Sequence, residues 1–225
     1  DATDSLLDRL SSAGDRSTRA AIMKQLLALG PEIGRVAVAR LPGAPWFLQR
    51  NILVLLGRLG SWPEDFSPVT YAQHPDSRIR REAIKLLLES PAHHDQAVSM
   101  ALSDTDEGVV GLALAAALES CPPEAAPLAA RIAVDSRRPS ELRVLTVRVL
   151  ARTGAPEALR LLIRLAVSRR LWFGRRLAPK TPELLAVLSA LARYWKEHPL
   201  ATPVLAHALE HPDPEIRAAA SPSAA

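Results

Sequence analysis

His207 and His211 stand four residues apart, the spacing that sets two imidazoles on one helix face where they could share a zinc ion. No third ligand is evident, so the spacing reads as a structural pair. His93-His94-Asp95 also offers ligand atoms, but it reads as the surface opening of a helix. The sequence has no Gly-rich phosphate loop after a strand, no cysteine pair with metal spacing and no Gly-x-Ser-x-Gly elbow. No catalytic residue, metal or cofactor is therefore expected, and the chain reads as a non-enzyme.

The chemistry that does stand out is binding chemistry. The net charge of +4 hides an asymmetry: residues 131–180 carry 13 basic and 3 acidic side chains, while residues 1–130 and 181–225 are net acidic. A bias toward Arg, which makes up 24 of the 28 basic residues, explains Arg over Lys but not the loss of acids from one segment. Arg137, Arg138, Arg143, Arg148 and Arg152 lie in that segment, as does the run Arg169-Arg170-Leu171-Trp172-Phe173-Gly174-Arg175-Arg176-Leu177-Ala178-Pro179-Lys180. Arg suits carboxylate or phosphate, and the two aromatics suit either stacking on bases or entry into a protein interface. They equally suit plugging the segment onto the rest of the fold. A second surface is the stretch Val109–Leu118, which has no polar side chain. Val110, Gly111, Leu114 and Ala115 there could floor a groove for a partner's helix, or simply pack tightly.

The elements that must position these residues are helices. Gly30, Gly60, Ser90, Ser120 and Gly154 punctuate the chain at a nearly fixed period, each with a Pro within three residues. Counting back seven residues from each gives Met23, Leu53, Ala83, Ala113 and Val147; counting back four gives Leu26, Leu56, Leu86, Ala116 and Leu150. That is one apolar helix face, repeated. Basic residues recur ten or eleven before the end, at Arg19, Arg50, Arg80 and Arg143. Pro-Glu occurs six times, and proline at a first helical position followed by Glu favours a helix start. The expectation is seven antiparallel helix pairs, over 3–12 with 16–29, 31–41 with 45–59, 63–73 with 77–89, and 92–103 with 106–119. They continue over 123–134 with 140–153, 156–173 with 182–197, and 200–210 with a shortened 214–220. No strand is expected. The run 169–180 reads as an insertion in the sixth repeat.

The phrase His74-Pro75-Asp76-Ser77-Arg78-Ile79-Arg80 returns as His211-Pro212-Asp213-Pro214-Glu215-Ile216-Arg217. With the period and the helix pairs, this Asp-x-x-Ile-Arg turn resembles HEAT repeats, in particular the short bacterial HEAT-like repeats of the bilin-lyase type. The fourth repeat departs from it, with Val109-Val110 in place of Ile-Arg. The resemblance implies an all-α fold, an α-α superhelix whose second helices line a concave face. It also brings in HEAT-like enzymes, but the iron-binding hydroxylases need His-Glu dipeptides that this chain lacks, and no residues match a DNA glycosylase or a bilin lyase one by one.

The expectation is a single HEAT-like domain over residues 1–225, a fragment of a larger protein, bacterial and cytoplasmic. Its single Cys121 fits a reducing compartment, and no apolar run reaches the roughly 20 residues of a membrane span. It acts as a scaffold or adaptor for an acidic or helical protein partner. Nucleic acid or an anionic membrane surface is the alternative occupant of region 131–180.

Overall fold

The computed structural model describes residues 2–169 and 175–221. They form an all-α helical repeat protein of fourteen α-helices with one short hairpin. The pairs are α1 (Ala2–Ser12) with α2 (Arg16–Ala28), α3 (Ile33–Ala39) with α4 (Trp46–Leu59), and α5 (Pro68–Ala72) with α6 (Ser77–Glu89). Next in sequence come α7 (His94–Leu102) and α8 (Glu107–Glu119), then the pair α9 (Ala126–Val134) with α10 (Ser140–Thr153). The series closes with α11 (Pro156–Ala166) and α12 (Pro182–Tyr194), then α13 (Thr202–Leu209) and α14 (Pro214–Ala220).

The chain divides into two compact units, Asp1–Ala97 and Val98–Ala225. In the first, α4 packs between α2 and α6, while α1, α3 and α5 each back a second helix. In the second, α10 packs between α8 and α12, and α12 also meets α14; α9 and α11 back α10 and α12, and α13 backs α14. The apolar face predicted by the period is the face that is buried. Met23, Leu53, Ala83, Ala113 and Val147 are all in the core, with Leu26, Leu56, Leu86 and Leu150 beside them. Gly57 occupies the same face because α4 and α6 come close there: a Cβ on it would stand 3.3 Å from Leu86 Cδ2. Gly60 and Gly154 end their helices in the left-handed region, at φ 68° and 65°, which glycine reaches without steric cost.

Two expected elements differ. The helix expected over 63–73 exists only as Pro68–Ala72, and Pro63-Glu64 forms a turn in which the Phe66 N–H meets the Pro63 carbonyl at 3.0 Å. Ser67 precedes a proline, which disfavours the helical conformation; it is extended, and the helix starts afresh with Pro68 in its first turn. The helix expected over 156–173 stops at Ala166, where Val167 turns extended. Strands β1 (Val167–Arg169) and β2 (Arg175–Leu177) then pair antiparallel, Val167 opposite Leu177 and Arg169 opposite Arg175, and the Ala178 N–H reaches the Ala166 carbonyl at 2.8 Å. So the expectation of no strand fails at the insertion. Val167 and Leu177 anchor the hairpin by packing on the core.

The recurring phrase is a turn lock. His74 Nδ1 accepts the Asp76 N–H at 3.0 Å, the Asp76 carboxylate caps α6 through the Arg78 N–H at 2.9 Å, and Arg80 Nη1 donates to the His74 and Pro75 carbonyls at 2.9 Å each. His211, Asp213 and Arg217 repeat every part of it, with the guanidinium at 2.8 and 2.7 Å from the His211 and Pro212 carbonyls. In the fourth repeat Asp104 replaces the histidine, accepting the Asp106 N–H at 2.7 Å, and Asp106 caps α8 through the Val109 N–H. There Val110 stands where an arginine would, and Arg138 from the next repeat donates to the Asp104 carbonyl at 2.9 Å instead.

Candidate functional site

The predicted basic residues separate into those the fold uses and those it leaves. Arg138 holds the Asp104 turn. Arg143 of α10 meets Glu183 of α12 at 2.7 Å, with both side chains largely buried. Burial alone would raise the Glu183 pKa, but hydrogen bonds around the carboxylate and the charge of Arg143 outweigh it, and the group sits below its ordinary value. Arg137 is clamped to Asp135 at 2.9 Å but remains 89% exposed. Within the insertion, Lys180 is tied to Asp213 at 2.8 Å and Glu215 at 3.0 Å, at the start of α14. Arg176 is exposed on β2. Arg169 and Arg175 face each other in backbone register, while Arg170, Trp172 and Phe173 lie outside the described residues.

What remains is a pair, Arg148 and Arg152, one turn apart on α10 and both exposed. Among the described residues neither has a carboxylate partner. They line a groove of about 660 Å³ between α8, α10 and α12, and Arg193 and Tyr194 at the end of α12 complete it. Leu118, Val144, Leu185 and Ala186 supply an apolar floor, and no acidic side chain is among the described lining residues. The Arg193 guanidinium lies 5.5 Å from the Tyr194 ring centroid, and Tyr194 is 44% exposed. Arg152 and Arg193 fall in the last turns of their helices, where the negative end of the helix dipole favours a cation. Arg193 and Tyr194 escape a reading of charge along the sequence because they lie outside the segment 131–180. The signal that finds them is the repeat register, which carries the end of α12 to the same level as Arg152.

The apolar helix α8 needs correction. Val110 and Leu114 are fully buried, so they belong to the core and cannot floor an open groove. Ala115 is exposed and Gly111 partly so. A helix with apolar side chains on all sides turns its larger ones mostly inward; here Leu112 and Leu118 are only partly buried, and Ala115 is exposed.

The first unit has a groove of its own, of about 570 Å³, lined by Leu10, Arg19, Trp46, Phe47, Arg50 and Arg78 among others. Trp46 and Phe47 pack edge to face at 5.8 Å, are 40% and 37% exposed, and the Arg78 guanidinium lies 3.3 Å over the Trp46 ring. Nothing in the charge pattern pointed to it. Two of the singled-out histidines serve the fold locally: His211 Nδ1 accepts the Asp213 N–H, and His93 Nδ1 meets Ser90 Oγ at 3.0 Å. Among the described residues no cluster of three or more His, Cys, Asp or Glu could hold a metal ion, and no helix is long and apolar enough to cross a membrane.

No protein-family model matches the chain, and no curated protein does either. Among solved structures it is similar to an engineered protein from the Northeast Structural Genomics Consortium, with 18% identity and a TM-score of 0.50 over 96% of this chain. This chain spans 65% of that protein's length. A designed armadillo repeat protein matches with 15% identity and a TM-score of 0.41, covering 96% of this chain and 95% of its own. Another, in complex with the peptide (KR)4, matches with 14% identity and a TM-score of 0.42, again over 96% and 95%. At these identities the likeness to the engineered protein speaks to the fold alone.

Proposed function

We propose that the chain is a HEAT-like scaffold that binds an acidic segment of a protein partner in the groove between α8, α10 and α12. The observation that carries this is the set Arg148, Arg152 and Arg193, which lines one concavity without a carboxylate among its described lining residues. A guanidinium recognises carboxylates through two parallel N–H donors. The apolar floor between the cations favours a peptide over a phosphodiester backbone, since Leu or Met of a helical segment would be buried there while its Asp and Glu meet the rim. In this reading Arg176 adds a further exposed cation, Trp172 and Phe173 of the same insertion are candidate partner contacts, and so are Gly111 and Ala115 of α8.

Fluorescence anisotropy with an acidic amphipathic helical peptide and with a generic DNA duplex decides between occupants at physiological salt. Micromolar peptide binding that is lost on charge reversal of Arg148 and Arg152, beside weak duplex binding, is the result expected. Sub-micromolar duplex binding that falls steeply with salt, as counterion release requires, would overturn it in favour of nucleic acid. Preference for anionic vesicles over the peptide would overturn it in favour of a membrane surface.

A further inference from the structure

A second concavity in the Val98–Ala225 unit has a different character. Between α9 and α11 lies a groove of about 750 Å³, within the range of small-molecule sites. Ala126, Ala130 and Val134 of α9 form one wall and Leu161 of α11 belongs to the other, with Val134 left 55% exposed. Both helices run antiparallel to the helix between them in sequence, so they are parallel, and their C-terminal ends share one edge of the groove. Arg131 and Arg164 stand in those last turns, one from each helix, both exposed and neither with a carboxylate partner among the described residues. The opposite end carries Glu157, which pairs with Arg160 at 3.7 Å, and the half-buried thiol of Cys121. The groove is thus polarised, with cations at one end, hydrocarbon along the middle, and a carboxylate at the other end.

We infer that this groove is a binding site for a small amphiphilic carboxylate, its head between Arg131 and Arg164 and its apolar chain along Ala126, Ala130 and Leu161. Charge complementarity fixes the direction, because two guanidinium groups without a carboxylate partner attract an anionic head at the near end, whereas at the far end Glu157 and Arg160 already balance each other. The apolar walls supply the affinity of the chain, and the neutral thiol, whose pKa burial pushes up, adds no charge against it.

Cys121 is the only cysteine of the chain and lines the groove, so it reports occupancy without any labelled ligand. The experiment is the rate of Cys121 alkylation by N-ethylmaleimide in the full chain, against rising decanoate, with decanol as the uncharged control. Decanoate should slow the reaction several-fold and saturably, decanol should not do so at equal concentration, and Arg131→Gln with Arg164→Gln should weaken protection about tenfold, the loss of roughly one charge-assisted contact. Ala130→Trp, which fills the groove, should abolish protection; the double Gln variant, at exposed positions, keeps the test open where the Trp variant fails to fold. Equal protection by decanol, no protection by decanoate, or full protection in the double Gln variant would each overturn the inference.

Discussion

In the Asp1–Ala97 unit, the three arginines beside the exposed Trp46–Phe47 pair are each engaged by the protein itself: Arg78 by Asp76 at 2.6 Å, Arg50 by Glu82 at 3.4 Å and Arg19 by the Ala13 carbonyl at 3.1 Å. In the Val98–Ala225 unit, the three arginines beside Tyr194 meet no carboxylate among the described residues. Both grooves combine guanidinium with aromatic surface, yet they should behave differently. A guanidinium paired with its own turn stabilises the fold and offers a partner little more than its stacked face. An unpaired one leaves the fold's stability almost unchanged and keeps its full attraction for an anion. The same residue type is structural in one place and available in the other, and the deciding fact is whether an acceptor of the fold, carboxylate or carbonyl, stands within reach.

The largest effect expected from this contrast is on binding. Arg148→Glu with Arg152→Glu should weaken the acidic peptide about a hundredfold by anisotropy, while urea unfolding shifts by less than about 0.5 kcal/mol per site. Arg78→Glu, at the other groove, should leave that affinity unchanged; an equal loss there would erase the contrast. Next comes Glu183→Ala, which strands Arg143 between α10 and α12 and should cost about 2 kcal/mol in urea unfolding, at the low end for a pair not fully buried. Asp76→Ala removes a helix cap and should cost about 1 kcal/mol by the same measurement. The smallest effect is acid sensitivity. Asp76 is held down to about 2, first by its hydrogen bonds from Arg78, against an ordinary 3.8, and Asp213 is lowered chiefly by Lys180. Folded values below the ordinary one mean that each charged cap stabilises the fold above about pH 4 and ceases to as pH falls through its folded value, about 2 for Asp76. Thermal melts between pH 5 and 2 should show that decline, and Asp76→Asn, which keeps the cap without the charge, should flatten part of it.

The sequence shows the helices because their signals are local. An apolar residue every three or four positions and a glycine or proline at each boundary need no knowledge of the rest of the chain, and Leu53, Val147 and Gly60 sit where the period puts them. It misreads Pro63-Glu64 because the effect of Pro68 on Ser67 competes with it five residues on. It misses the hairpin because three-residue strands are too short to show alternation. The site is harder to read for a different reason. Arg143 and Arg148 look alike in sequence, and what separates them is Glu183, forty residues away on the next second helix. Arg193 and Tyr194 lie outside the basic segment and join it only through the stacking of α10 and α12.

Repeat proteins are often treated as strings of interchangeable beads, and the Arg138 contact limits that freedom here. The fourth repeat lacks its own locking arginine and takes one from its successor. Lifting that repeat out, duplicating it, or splicing a generic unit after it would remove the Arg138 contact to the Asp104 carbonyl, even with every residue of the repeat intact. The lock of repeat three is closed from within by Arg80; that of repeat seven is closed from within by Arg217, with its Asp213 also held by Lys180 of the sixth repeat. Recombination, in nature or in the laboratory, therefore has a preferred grain along this chain: repeats four and five travel together.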